Sequence, residues 1–149
     1  MNTYWKDRLF FSAQFILMVA YIIPVSWGSF ATFQMVGLAF VFTGILTSAA
    51  AVWQLRHSIS PFPSPRATAR LIDGGVFKWI RHPIYTGILL AALGYSLYSG
   101  SVWKGLLTVA LWILFQFKAR YEEHLLLNRF DQYSAYMDRT GRFLPKVGR

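Results

Sequence analysis

The chain has 149 residues, 55% hydrophobic, 18% aromatic and only 14% charged, with no cysteine and a formal net charge of +9. Soluble domains carry about a quarter charged residues, so the composition points to a membrane, and the length leaves room for one domain, 1–149, rather than a membrane unit plus a soluble module. Disulfides, thiolate metal sites and cysteine nucleophiles are excluded, and the basic excess is segregated along the chain rather than spread over one soluble face, which argues against nucleic acid as a partner.

Between Arg8 and Arg56 there is no Asp, Glu, Lys or Arg. That run is about twice the roughly 20 residues that cross a bilayer core, so it must hold two crossings. Pro24, Trp27, Gly28 and Ser29 combine a helix breaker, an interfacial aromatic and turn formers, and they place the break. The predicted helices are about 9–27 and 30–55. A second apolar block from Pro83 to Phe117 is interrupted at Ser99, Gly100, Ser101 and Lys104, predicting a helical hairpin of about 84–98 and 102–117. The pattern therefore predicts an all-α polytopic membrane protein with about four transmembrane helices.

Of the 15 basic residues, Lys6 and Arg8 precede the first helix, five lie between the second and third, and seven follow the fourth. Only Lys104 is left for the opposite side. The positive-inside rule then puts both termini and the central connector in the cytoplasm, and the second apolar segment disfavours a cleaved signal peptide. The compact chain suits a multi-pass protein of a bacterial inner (cell) membrane.

The connector, 56–82, contains Pro61, Pro63 and Pro65, which favour a stiff extended segment, and then the Gly74-Gly75 turn. Val76, Phe77, Trp79 and Ile80, interleaved with Lys78 and Arg81, suit a segment in the headgroup region. The stretch 118–138 reads as an amphipathic cytoplasmic helix. At 100° per residue from Glu122, Leu126, Phe130, Tyr133 and Met137 all fall within about 80° of it, which puts Glu122 on the apolar face.

Glu122 and Glu123 are the only glutamates in the chain. A carboxylate on a buried face is costly unless a cation or donor meets it, and Lys118, one turn earlier, or a cationic ligand would serve. The second constellation is Arg81-His82-Pro83-Ile84-Tyr85-Thr86-Gly87. Pro83 fits the first turn of a helix, so His82 stands at its mouth, where anions bind well. An ordinary capped helix with an interfacial tyrosine is the simpler alternative. Gly37, Gly44, Gly87, Ala91 and Gly94 read most simply as helix-packing positions.

Leu71, Gly75 and Phe77, then Arg81-His82-Pro83-Ile84-Tyr85-Thr86-Gly87, then Glu122-Glu123, Leu126, Phe130, Tyr133, Tyr136 and Arg142-Phe143-Leu144-Pro145, together resemble the isoprenylcysteine carboxyl methyltransferase family. The resemblance covers about 61–145. It implies an integral-membrane enzyme that uses S-adenosyl-L-methionine, with a cytoplasmic-side cofactor part over about 71–145. It also implies that His82, Tyr85 and Gly87 line the cofactor pocket, and that Glu122 and Glu123 match the acidic pair shared with membrane phospholipid N-methyltransferases.

The chemistry of the residues agrees with that implication. The donor brings a carboxylate, an ammonium, a sulfonium and an adenine, which call for an anion-binding helix mouth (His82, Arg81), an acid (Glu122 or Glu123) and an aromatic wall (Tyr85). No metal is required. A carboxylate acceptor needs only a cationic guide such as Arg81, Lys118 or Arg120, so Arg81, Lys118 and Glu122 are the candidate catalytic residues. An amine or thiol acceptor would need a base, for which His82, Glu122 or His124 are candidates. His57 and His124 have no motif support and read as surface residues. The acceptor implied is a lipophilic small molecule or a prenylcysteine-like group, with a phospholipid amine or a thiol as alternatives. Two other classes are a nicotinamide-dependent membrane reductase and a small transporter. The lack of an ionisable residue between Arg8 and Arg56 counts against the transporter.

Overall fold

The computed structural model describes residues 3–25, 28–56 and 71–146. Trp27 and most of the connector, with His57, Pro61, Pro63, Pro65, Arg66 and Arg70, lie outside the described residues. The described chain is helical: α1 Thr3–Ile22, α2 Gln34–Leu55, α3 Pro83–Ser99, α4 Val102–Leu127 and α5 Tyr133–Arg139, with a 3₁₀ turn at Gly75–Lys78. Among the described residues there is no strand, only two isolated bridges.

α1 starts six residues before the expected Leu9, and it ends at Ile22 rather than at Trp27. Pro24 disfavours helical geometry in the residue before it, and the chain turns there. α2 begins at Gln34, four residues later than expected, because Phe30–Phe33 is extended: the Phe30 and Phe33 N–H groups donate to Gly100 and Leu97 carbonyls at 2.9 and 3.1 Å. α3 and the start of α4 fall within a residue of the expected positions. The turn between them uses Gly100 at φ +61°, a left-handed conformation that glycine adopts without a Cβ penalty.

α2 and α3 pack antiparallel through two glycine pairs, Gly37 with Gly94 and Gly44 with Gly87. A Cβ on any of the four would run into the backbone of the facing helix. Small residues let two apolar helices approach until backbone meets backbone, and van der Waals packing then replaces the hydrophobic drive that lipid cannot supply. The spacing of seven residues in both helices keeps the two pairs on one face. Ser48 closes the contact by donating its hydroxyl to the Ile84 carbonyl at 3.3 Å.

α1 packs on α4, also antiparallel: Gln14 meets Lys118 near one end and Tyr21 meets Thr108 toward the other. The starts of α1 and α3 and the ends of α2 and α4 therefore share one end of the bundle. Two helices, α2 and α4, are long and apolar enough to cross a membrane. Their outward faces carry large apolar side chains, including Met35 at 82% exposure and Trp53 at 69%, which water would not favour.

The largest departure from the sequence reading concerns 118–138. α4 runs on through 118–127 as one 26-residue helix, the chain breaks at 128–132, and α5 follows. One helical wheel across the break misplaces the acids. α4 buries Leu107, Leu111, Phe115, Ala119 and Glu123, each four residues apart, so Glu123 is the deeply buried carboxylate and Glu122 lies at the edge of that face.

Candidate functional site

The site forms where the mouth of α3, the end of α4 and the C-terminal segment meet. Residues 79–82 lie beside 141–142: the Arg81 and His82 N–H groups donate to the Gly141 and Arg142 carbonyls at 2.9 and 3.1 Å, and the Gly141 N–H returns to the Trp79 carbonyl at 3.3 Å. Pro83 occupies the first turn of α3, which leaves His82 as the residue that enters the helix. Thr86 hydroxyl donates to the Phe143 carbonyl at 2.8 Å, and Tyr136 hydroxyl to the Phe77 carbonyl at 2.7 Å. Burial pushes the Tyr136 phenol up to about 12, against the opposing charge of Arg81, so it remains a donor at neutral pH. Burial, with Glu123 nearby, also raises the Tyr133 phenol.

The two glutamates have different surroundings. Glu123, with its side chain only 4% exposed, accepts from Arg81 Nε at 2.9 Å and from Arg142 Nε and Nη2 at 3.1 and 2.5 Å. Arg81 is held in turn by the Met137 carbonyl at 3.1 Å and the Thr140 carbonyl. Glu123 is thus the centre of a buried clamp that ties α4 to the α3 mouth and to the C-terminal segment. Glu122, 16% exposed, accepts from Tyr85 hydroxyl at 2.5 Å and faces His82 Nδ1 at 3.4 Å. It keeps an open edge.

His82 sits between them, with Nε2 3.3 Å from Glu123 Oε1. That nitrogen is buried and has no hydrogen-bond partner, so its contact with Glu123 is one of charge rather than of a directed bond. Burial alone would lower the His82 pKa. The adjoining Glu122 and Glu123 carboxylates more than offset it and raise the value above that of a free imidazole. The His82 ring stacks on Tyr85 at 5.4 Å and 3°, Tyr85 stacks on Phe115 at 4.4 Å, and Phe143 leans on His82 at 6.0 Å.

Arg81, His82, Tyr85, Lys118, Glu122 and Glu123 are therefore brought together. Lys118 is buried, donates to Gln14 Oε1 at 2.8 Å and stands 5.1 Å over the Tyr85 ring. Gly87 is not part of this cluster, since it faces Gly44 and Ser48 of α2. Arg120 and His124 are exposed. The sequence reading had no role for Arg142, Thr140, Gln14 or Asp7. Arg142 lay within a recognised motif, yet only the fold shows that it reaches Glu123. Asp7 and Gln14 are seven residues apart, a spacing that marks one helix face.

A profile of the phospholipid methyltransferase family matches residues 32–133. The chain is 27% identical over 122 residues to a protein-S-isoprenylcysteine O-methyltransferase of Schizosaccharomyces pombe, an overlap of 79% of this chain and 52% of that protein. It is also 27% identical over 85 residues to the nickel-cobalt-cadmium resistance protein NccN of Alcaligenes xylosoxydans xylosoxydans, covering 56% of this chain and 40% of that one. Its fold resembles the solved structure of a eukaryotic intramembrane Ras methyltransferase, an isoprenylcysteine carboxyl methyltransferase, with a TM-score of 0.69 at 20% identity over 99% of this chain and 55% of that one. The chain thus spans about half the length of these two isoprenylcysteine methyltransferases.

Proposed function

Given that the chain belongs to the phospholipid methyltransferase family, we propose that it is an integral-membrane methyltransferase that takes its methyl group from S-adenosyl-L-methionine and gives it to a lipophilic acceptor. In this reading 1–149 act as one domain, α1 to α4 all cross the membrane, and both ends of the described chain lie on the cytoplasmic face of an inner (cell) membrane. At 17 residues α3 is about 25 Å long, short for a crossing, but Gly-mediated packing on the longer α2 shields its backbone.

The observation that carries the proposal is the division of the acidic pair. A methyl donor of this kind presents an ammonium, a carboxylate and an aromatic base. Glu122 offers a carboxylate with an open edge, Arg142 a guanidinium still 27% exposed, and Tyr85 and Phe143 offer aromatic surface beside them. The orphaned His82 Nε2 adds a buried polar atom suited to a ligand. These residues fit the donor. Glu122 would hold the ammonium, Arg142 the carboxylate, and the rings would form the wall, all within about 71–145. Arg81 and Lys118 are engaged with the protein's own groups and act by holding the site together. Gly87 serves the helix contact.

The donor supplies an electrophilic methyl on a sulfonium. What the protein adds is position and exclusion of water, since an in-line displacement at carbon needs the two reactants aligned. His82 keeps its proton to higher pH than a free imidazole does, so near neutrality it serves as a cation more readily than as a base. That favours an acceptor already ionised at neutral pH, a lipophilic carboxylate of the prenylcysteine type, over an amine or a thiol that must first lose a proton.

Transfer of radiolabelled methyl from S-adenosylmethionine into the organic-soluble part of a membrane extract tests this reading. The expected product is a methyl ester, which releases its label as volatile methanol in mild base. Label that resists base would replace the carboxylate with an amine or thiol acceptor. No transfer by the folded protein to any extract would count against the enzyme reading itself.

A further inference from the structure

α1 lies outside the segment matched by the family profile, yet three of its polar side chains recur at a regular spacing. Asp7, Gln14 and Tyr21 recur every seven residues, a repeat that drifts only about 20° per step and so keeps one face. That face meets α4. Tyr21 hydroxyl is 3.0 Å from Thr108 Oγ1, Gln14 Oε1 accepts from Lys118 Nζ at 2.8 Å, and Asp7, itself 4% exposed, acts on the same ammonium by its charge. Lys6 and Phe10 add contacts to the Tyr121 ring at 5.5 and 5.7 Å. Polar groups at such depth are costly unless matched, so the stripe fixes how α1 docks.

The matched cation does not stop at α1. Lys118 Nζ stands 5.1 Å over the face of Tyr85, whose hydroxyl is held by Glu122, one turn after Lys118 on α4. The buried Lys118 ammonium also feels the charges of both Glu122 and Asp7, which leaves little of its own charge for a substrate. The geometry points to Lys118 as a positioning residue, seated by Gln14 and Asp7 of α1, that fixes the Tyr85–Glu122 pair and makes α1 a working part of the donor site. This rests on the methyltransferase reading above.

The test is S-adenosylhomocysteine affinity and thermal stability of the detergent-purified full chain carrying Lys118→Met, Lys118→Arg, Gln14→Leu or Tyr21→Phe. Lys118→Met and Gln14→Leu should each weaken binding about tenfold, with effects that are not additive in the double variant, since residues sharing one network couple. Lys118→Arg should restore most of the affinity. Tyr21→Phe, on the same stripe but away from the site, should lower the melting temperature and leave affinity unchanged. If Lys118→Met fails to fold, Gln14→Leu and Lys118→Arg decide alone. Wild-type affinity in Gln14→Leu, an Arg variant no better than Met, or equal losses in Gln14→Leu and Tyr21→Phe would overturn the inference. A folded wild type that binds no S-adenosylhomocysteine would instead remove the methyltransferase reading on which it rests.

Discussion

Two adjacent glutamates meet different surroundings because a helix turns about 100° between them. Glu123 falls in register with Leu107, Leu111, Phe115 and Ala119, so it enters the core and must be matched there, which Arg81 and Arg142 do. Removing one partner of a buried pair leaves the other charge uncompensated, at a cost of about 3–5 kcal/mol. Glu123→Gln should therefore lower the melting temperature sharply in detergent, whereas Glu122→Gln should change it little and act on donor binding. A larger loss of stability in Glu122→Gln would reverse these assignments. His82 gives a pH signature. Its folded pKa is raised, so its contribution to stability is complete below the unfolded value of about 6.5 and is lost as pH rises through the folded value. The stability gap between wild type and His82→Gln should narrow as pH increases above about 6.5, as followed by melting temperature. A gap that widens would contradict the raised value.

At the level of elements, α2 and α3 are held by backbone approach and α1 by a polar stripe. Gly87→Ala places a Cβ against Ser48 Oγ and the Gly44 carbonyl. Overpacking of this kind costs about 1–3 kcal/mol, and a lower melting temperature is the expected outcome. An unchanged one would mean that α2 and α3 are not packed so closely. α3 and the start of α4 were readable to within a residue or so because glycine, serine and proline mark those limits. The mouth of α3 was readable because proline constrains both itself and His82. The end of α4 was not, since the break at 128–132 has no proline or glycine to announce it, and a wheel drawn across it turned Glu122 inward. Continuing the four-residue spacing from Leu107 would have found Glu123. Partners far apart in sequence, such as Arg142 with Glu123 or Gln14 with Lys118, needed the fold.

For the molecule as a whole, charge distribution and packing agree on a polarity. Among the described residues, the starts of α1 and α3 and the ends of α2 and α4 bring the basic side chains other than Lys104 to the end that carries the candidate site, and Lys104 stands at the other, 4.1 Å over the Tyr95 ring. The chain has no cysteine, so single cysteines report topology cleanly. In inside-out vesicles, an impermeant thiol reagent should label Ser134→Cys and spare Ser29→Cys, and in intact cells the pattern should invert. Labelling of both from one side would break the proposed topology. Calorimetric titration of the purified, detergent-solubilised protein with S-adenosylhomocysteine asks whether the site between the mouth of α3 and the end of α4 holds a methyl donor. The wild type should bind saturably, and folded Glu122→Gln should bind at least tenfold, about 1.4 kcal/mol, more weakly. Folded wild-type protein that gives no binding, or a Glu122→Gln variant that binds as tightly as wild type, would contradict a methyl-donor site there.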